Sequence, residues 1–135
     1  SSEKRLERVR ENCEKYGIEG EITCFDGTAY PTDKQFDLVV IDAPCSNTGV
    51  LGKRPESRWR ASEEQIAEQV ALQRTLIEQG LKLLTKNGAL WYLTCSILPQ
   101  ENENVVSSFS SNYQKTIYPD IDGNDGGFCA LITLS

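Results

Sequence analysis

Two cysteine-containing segments are the parts of this sequence best suited to chemistry. Asp42-Ala43-Pro44-Cys45-Ser46 follows an apolar run over residues 36–41, and Thr94-Cys95-Ser96 follows a second apolar run over residues 89–93. A carboxylate and a thiol would leave the first run together, and Pro44 would stiffen the turn that holds them. Each segment also has a plainer interpretation, as an aspartate before an ordinary proline turn and as a cysteine buried by packing.

The two segments form one site if the runs are neighbouring parallel strands. The stretch between them contains a helix signal, because Ser62-Glu63-Glu64-Gln65 has the form of a capping box and an apolar stripe continues from it to Asn87-Gly88. Parallel strands joined by one crossover helix bring their carboxyl ends to the same edge of a sheet. We therefore expect both thiols and the Asp42 carboxylate to face a single crevice.

The amino-acid composition limits the kinds of catalytic and metal site that this sequence can form. The sequence has no histidine, which excludes Cys-His and Ser-His-Asp catalysis and leaves only cysteine and carboxylate ligands for a metal, so no metal site is expected. The five cysteines include no Cys-x-x-Cys pair, and their odd number favours reduced thiols in a cytoplasmic protein. No apolar run approaches the roughly 20 residues of a membrane span, so no membrane partner is expected.

Charge restricts how this sequence could bind nucleic acid. Its 135 residues fit one globular domain, and its net charge of -6 means that any RNA contact must come from a local basic patch. Residues 53–60 are such a patch. RNA bases could stack on the indole of Trp59, and RNA phosphates could contact the cations Lys53, Arg54, Arg58 and Arg60. The alternative is a solvated loop with Trp59 packed in the core.

The remaining pattern predicts the elements that position these residues. We predict helices over 2–16 and 99–109, a long loop over 43–61, and strands over 21–25, 113–118 and 127–134. The strand over 36–41 should be buried on both faces, because it is almost continuously apolar. The order of elements indicates an α/β domain with a mainly parallel sheet.

Longer motifs around the two cysteines resemble the RNA cytosine-5 methyltransferases of the NOL1/NOP2/Sun group. The resemblance extends over residues 1–134, and its most specific parts are the paired Pro-Cys and Thr-Cys-Ser motifs. The motifs that carry it are Asp42-Ala43-Pro44-Cys45-Ser46-Asn47-Thr48-Gly49-Val50, Arg58-Trp59-Arg60, Gln73-Arg74, Thr94-Cys95-Ser96-Ile97-Leu98-Pro99 and Glu101-Asn102-Glu103. This resemblance implies a Rossmann-like enzyme that uses S-adenosylmethionine to methylate C5 of a cytidine in ribosomal or transfer RNA.

The resemblance also implies residue roles. Cys95 would be the nucleophile that adds to C6 of the cytosine, and Cys45 would assist release of the product. Asp42 would lie between cofactor and target base, with Pro44 beside it, and Asp26 would lie near the adenosine, although Asp26-Gly27 also reads as a plain turn. Elementary chemistry agrees, because addition of a thiolate at C6 turns an unreactive C5 into an enamine-like nucleophile.

The sequence departs from the family pattern in ways that predict an incomplete sheet. The glycine-rich cofactor loop and the ribose-binding acid of the first two strands are not found, and Asn47 stands where the family more often has glycine. We expect the chain to begin just after that second strand, so that residues 1–135 form a partial catalytic domain with weak cofactor binding. Its expected partners are the N-terminal portion of the same domain, or a second copy paired through the open sheet edge.

Two other functions remain open from the sequence. The chain could be a non-catalytic fragment that contributes only RNA contacts through residues 53–60. A thiol redox protein using Cys45 and Cys95 is less favoured, because the two cysteines are 50 positions apart in the sequence.

Overall fold

The computed structural model describes residues 3–53, 55, 62–120 and 122–134. The chain divides after Thr32 into a small first unit and a larger second unit.

The first unit contains the predicted N-terminal helix but not the predicted strand. Helix α1, Glu3–Tyr16, confirms the helix expected over 2–16, and Gly17 ends it in the left-handed conformation with φ 63°. The strand predicted over residues 21–25 is wrong, because these residues are irregular and almost all exposed. Alternation alone does not make a strand, since its backbone groups need a hydrogen-bonded neighbour and one of its faces needs burial.

The second unit is a four-stranded sheet with two helices. Its strand order is β1-β2-β4-β3, and only the β1–β2 pair is parallel. The elements are β1 Phe36–Asp42, α2 Glu63–Lys82, β2 Leu84–Thr94, α3 Glu103–Val106, β3 Ser111–Ile117 and β4 Gly127–Thr133. The prediction of a mainly parallel sheet is therefore wrong. The connection from β3 to β4 has no helix among its described residues, and a short connection returns the chain antiparallel.

The core lies on one face of this sheet. The side chains of Ile77, Leu90, Tyr92, Val105 and Ile132 are almost completely buried between the sheet and helices α2 and α3. Burial of each aliphatic side chain of this size contributes about 1.5–3 kcal/mol to folding. This face fixes the strand ends from which the candidate site is built.

The opposite face and the β1 edge are open among the described residues. Leu38 and Val40 of β1 are 53% and 56% exposed, while Val39 and Ile41 pack against the core. The prediction that this strand is buried on both faces is wrong, because β1 is the last strand of the sheet and only one of its faces is covered.

Helix α2 begins as predicted and ends earlier than predicted. The capping box is present, with the Ser62 hydroxyl accepting from the Gln65 N–H and the Gln65 side chain accepting from the Ser62 N–H. The helix ends at Lys82 rather than at Asn87-Gly88, because Leu84 already pairs with Phe36 at the start of β2. No helix in the described part of the chain has both the length and the apolar character needed to cross a bilayer.

Candidate active site

The two cysteine loops leave neighbouring strand ends. Asp42 at the end of β1 is in register with Leu93 near the end of β2, so the segments that follow the two strands, with Cys45 and Cys95, lie side by side. The two sulfur atoms are 3.1 Å apart. Both cysteines are free, and this distance is far longer than the roughly 2.05 Å of a disulfide bond. The structure thus brings together the two thiols that the sequence predicted to share a crevice.

Backbone hydrogen bonds join the loops at Gly49. Its N–H donates to the Cys95 carbonyl at 2.9 Å, and its own carbonyl accepts from the Gly126 N–H at 2.8 Å. A Cβ atom at this position would lie 2.3 Å from the Gly126 oxygen and 2.8 Å from the Cys95 oxygen. Only glycine fits here, because any side chain would push the two loops and the start of β4 apart.

Three hydroxyl groups connect the residues that follow each cysteine. The Ser46 hydroxyl lies 3.3 Å from the Ser96 hydroxyl, and the Thr48 hydroxyl lies 3.1 Å from it. Thr48 also accepts from the Ile97 N–H at 3.1 Å. Ser46 and Ser96 each directly follow a cysteine in the sequence, which was a usable signal for this role.

A buried carboxylate, Glu101, holds the Cys45 loop from behind. Its Oε1 accepts from the Ser46 N–H at 2.9 Å and its Oε2 accepts from the Ser46 hydroxyl at 2.6 Å. Gln73 of α2 donates to the same carboxylate at 3.3 Å and to the Pro44 carbonyl at 2.9 Å. Glu101 is completely buried, so these donors replace the water that an ionised carboxylate would otherwise need.

The Cys95 loop is held by a second buried network. Thr94 donates its hydroxyl to the Asn102 side-chain oxygen at 2.7 Å, and the Asn102 amide donates to the Ser96 carbonyl at 2.9 Å. The Tyr92 hydroxyl donates to the Glu101 backbone carbonyl at 2.7 Å, and burial together with the nearby Glu101 charge raises the pKa of Tyr92. Glu101 and Asn102 contribute to these networks just before α3, which begins at Glu103. The helix is only Glu103–Val106, so the predicted helix over 99–109 is wrong in its extent.

The two thiols differ in their surroundings. Burial, followed by the hydrogen bond with Cys95, raises the pKa of the Cys45 thiol to about 12, so Cys45 keeps its proton at neutral pH. Cys95 is only partly buried, and its thiol donates to the side-chain oxygen of Asn47 at 2.9 Å. Cys95 is therefore the more accessible sulfur of the pair.

The predicted cofactor residues lie in different parts of the chain. Asp42 ends β1 with an exposed carboxylate that has no hydrogen-bond partner among the described residues, so it is free to contact a bound cofactor or base. Pro44 is exposed beside it. Asp26 belongs to the first unit, where its carboxylate accepts from the N–H and hydroxyl of Thr28, and these hydrogen bonds lower its pKa.

The predicted RNA-binding residues are described only in part. Lys53 is exposed, and its amine lies 2.6 Å from the Asp125 carboxylate. The predictions for Arg54, Arg58, Trp59 and Arg60 lie outside the described residues. The RNA-binding role of residues 53–60 thus stays a prediction.

Comparison with known proteins places this site in a family. A family model described as 16S rRNA methyltransferase RsmB/F matches residues 1–127. The ribosomal RNA small subunit methyltransferase B of Photorhabdus laumondii subsp. laumondii is 36% identical over 148 residues, which cover 97% of this chain and 34% of that protein. This chain therefore spans about a third of the length of that relative.

Solved structures agree with the sequence relatives. PH0851 superposes with a TM-score of 0.90 at 29% identity, over 98% of this chain and 35% of that one. NSun6 from Pyrococcus horikoshii, solved with the S-adenosylmethionine analogue SFG, superposes with a TM-score of 0.85 at 25% identity, over 99% of this chain and 40% of that one. The Rossmann-like α/β fold is confirmed, and so is the predicted S-adenosylmethionine-dependent class. The chain belongs to the RsmB/F family of 16S rRNA methyltransferases, within the NOL1/NOP2/Sun group.

Proposed function

We propose that this chain carries the catalytic cysteines of an RNA cytosine-5 methyltransferase. The observation that supports this most strongly is the 3.1 Å separation of the Cys45 and Cys95 sulfur atoms beyond the ends of two parallel strands. Two thiols at this distance reach the same pyrimidine ring, one to bond it and one to assist its release. Ribosomal RNA is the favoured substrate, because the relatives are named as ribosomal RNA methyltransferases, and transfer RNA is the alternative.

Cys95 is the proposed nucleophile. Its sulfur, as thiolate, adds to C6 of the cytosine, so that an S–C6 bond forms and electron density moves to C5. Asp42 ends the neighbouring strand with a free carboxylate, which can hydrogen-bond the pyrimidine edge and stabilise this adduct. S-adenosylmethionine, when bound beside Asp42 and Pro44, would supply the methyl group. The role of Asp26 near the adenosine stays a prediction from the resemblance.

Cys45 is the proposed residue for product release. The S–C6 bond breaks when a base takes the C5 proton and the electron pair re-forms the C5–C6 double bond. We propose that Cys45 accepts that proton as a thiolate, after its own thiol proton has passed to solvent, or that a water bound to it does so. Its raised pKa of about 12 makes its thiolate a strong base, and it also means that the thiol is protonated in the resting enzyme.

RNA contacts are proposed for residues 53–60. The cytosine must leave its stack to reach the two sulfurs, which favours a single-stranded or flipped nucleotide. Lys53, Arg54, Arg58 and Arg60 would contact phosphates and Trp59 would stack on a base. An RNA methyltransferase with reduced cysteines would work in the cytoplasm.

We propose that the chain works together with an N-terminal portion of the same domain. Leu38 and Val40 expose apolar surface on the edge strand β1, and this chain spans only about a third of its relatives' length. That portion would carry the glycine-rich cofactor loop and pair with the open edge. Self-association through the same edge is the alternative for the isolated chain.

The proposal is tested by methyl transfer from labelled S-adenosylmethionine to an unmodified ribosomal RNA transcript. The chain alone is expected to bind the cofactor weakly and to transfer nothing, whereas the chain joined to its preceding gene sequence is expected to label C5 of cytidine. The Cys95→Ala variant of the joined protein is the control. RNA binding without any transfer by the joined protein would instead support the non-catalytic RNA-contacting function. Micromolar cofactor binding by the chain alone would contradict the need for the N-terminal portion.

A further inference from the structure

Asn47 links the backbone of one cysteine to the thiol of the other. It is the one non-glycine residue with positive φ in the described part of the chain, at φ 60° and ψ 27°. Its side-chain Nδ2 donates to the Cys45 carbonyl at 3.2 Å, and its Oδ1 accepts from the Cys95 thiol at 2.9 Å. Asparagine tolerates this left-handed backbone better than most residues, so the position can carry a functional side chain without severe strain.

The two contacts fix which way the amide points. A backbone carbonyl can only accept hydrogen bonds, so the NH₂ end of Asn47 must face Cys45. The oxygen end must then face the Cys95 sulfur, where it can accept a hydrogen bond but cannot donate one. A thiol satisfies that oxygen, whereas a thiolate would set two hydrogen-bond acceptors against each other.

We propose that Asn47 holds Cys95 in its protonated form in the resting site. This inference deepens the proposed function, because it rests on Cys95 being the nucleophile. The resting order of hydrogen bonds is then fixed: the Cys45 thiol donates to the Cys95 sulfur, and the Cys95 thiol donates to Asn47. The amide cannot take the proton itself, so the Cys95 proton must pass to an acceptor from outside this pair before sulfur can attack.

The other groups near the pair do not supply that acceptor. Cys45 lies 3.1 Å from Cys95 and is itself protonated. The Glu101 carboxylate lies behind Ser46 and accepts two hydrogen bonds from it, and the Tyr92 hydroxyl is occupied by the Glu101 carbonyl. The base that removes the Cys95 proton must therefore come from solvent or substrate, because Asn47 only accepts a hydrogen bond from the thiol.

The experiment measures alkylation of Cys95 by iodoacetamide from pH 6 to 11 in the chain and its variants. The Cys95 sulfur attacks the reagent's CH₂ carbon, iodide leaves, and the thiol proton passes to the buffer. Trypsin places the five cysteines on separate peptides, so the rate at each cysteine is read by mass spectrometry from one reaction. The exposed Cys24 reports the reagent's activity.

Two substitutions at Asn47 are expected to move the Cys95 profile in opposite directions. Asn47→Gly suits the left-handed backbone and removes the acceptor, so Cys95 should react roughly threefold to tenfold faster below its plateau, the worth of one hydrogen bond. Asn47→Asp keeps an acceptor and adds a negative charge, so Cys95 should react more slowly. An unchanged profile in Asn47→Gly, or faster reaction in Asn47→Asp, would overturn the proposal.

If Asn47→Gly only loosened the Cys45 loop and opened access to Cys95, the pH profile of Cys95 alkylation would change in a different way. Thr48→Val removes the hydroxyl contacts to Ser96 and Ile97 but leaves both Asn47 contacts in place. If Asn47→Gly acted only through access, both variants would raise the Cys95 rate at every pH, including the high-pH plateau, and that result would also overturn the proposal. The expected result is an unchanged plateau in Asn47→Gly.

This alkylation test is independent of the catalytic assignment. It reports the hydrogen bond to Cys95 whether or not the enzyme uses that sulfur. In the joined protein, Asn47→Gly should also shift the pH dependence of the rate of RNA adduct formation towards lower pH. An adduct that forms on another cysteine would defeat the proposed function while leaving the alkylation result intact.

Discussion

The cysteine loops and the edge strand β1 are adjacent in the sequence but differ in how completely they are built. The loops are joined by backbone bonds at Gly49, by the hydroxyls of Ser46 and Ser96, and by the buried Glu101 carboxylate. Every one of these partners lies in the second unit. The geometry of the proposed site is therefore a property of this part of the chain.

Strand β1, by contrast, is left partly uncovered. Leu38 and Val40 leave apolar surface open on the last strand of the sheet, where unpaired backbone groups invite another strand. The pair of sulfurs can therefore be organised while the surface that would complete the domain is still uncovered. Four experiments test this contrast between the cysteine loops and the edge strand.

The alkylation rate of Cys45 tests how well the two cysteine loops bury this thiol. Its pKa is raised from 9.0 to about 12, first by burial and then by the hydrogen bond with Cys95. A shift of this size lowers the thiolate population at pH 8 by roughly a thousandfold, so Cys45 should resist alkylation until the pH approaches about 12. Peptide mapping against the exposed Cys24 in the same sample measures this. Equal pH midpoints at the two cysteines would show that the loops are open.

The junction of the loops is tested by glycine substitution. Gly49→Ala places a methyl group against two backbone oxygens and should lower the free energy of unfolding by about 3 kcal/mol. Gly52→Ala is the matched control, because a Cβ atom there has nothing within 4 Å. Urea denaturation of both variants gives the difference. Equal stabilities would mean that the loops separate at no cost.

The buried carboxylate is tested by an isosteric change. Glu101→Gln replaces the Oε2 atom that accepts from the Ser46 hydroxyl at 2.6 Å with an NH₂ group, so this short hydrogen bond is lost and the hydroxyl must donate to Thr48 or Ser96 at 3.3 Å instead. We expect a loss of about 2 kcal/mol by urea denaturation. Glu78→Gln, on the exposed side of α2, makes the same charge change and should have almost no effect. A Glu101→Gln variant as stable as the unmodified chain would show that the Glu101 carboxylate does not stabilise the Cys45 loop.

The edge strand is tested by two neighbouring valines. Val39→Thr places a hydroxyl against the core and should cost about 1–2 kcal/mol, whereas Val40→Thr lies on the open face and should change stability by less than about 0.5 kcal/mol. Val40→Thr should also reduce any self-association of the chain, measured by sedimentation. A large loss of stability in Val40→Thr would show that the open face is already covered.

Local signals in the sequence predicted much of this structure. The Ser62 capping box located the start of α2, and the two apolar runs before the cysteines located β1 and β2. Together they predicted that both thiols would meet, because a parallel pair with one crossover helix has few other arrangements. The open edge at β1 was expected from the resemblance, because two strands of the family's sheet are not found in this chain. The antiparallel β4 was not predictable from local signals, because it depends on which strands are present to pair.

The rest of the site depends on contacts between distant positions. Glu101 resembles an ordinary solvated glutamate in the sequence, and its burial depends on Ser46, which is 55 positions away. Asn47 was visible as a departure from the family pattern, but its contact with the Cys95 thiol follows from a left-handed backbone that single-residue patterns do not show. Residues 21–25 show the reverse case, since their alternation suggested a strand and the structure describes them as irregular and almost all exposed.

Cys95 is proposed to form the bond to cytosine, and Cys45 is proposed to assist its release. The most direct measurement isolates a denaturant-resistant adduct between the joined protein and its RNA, in the Cys45→Ala and Cys95→Ala variants, and maps the modified peptide. We predict that the adduct accumulates in Cys45→Ala with the RNA on Cys95, and that Cys95→Ala forms none. An adduct that accumulates in Cys95→Ala with the RNA on Cys45 would contradict the account.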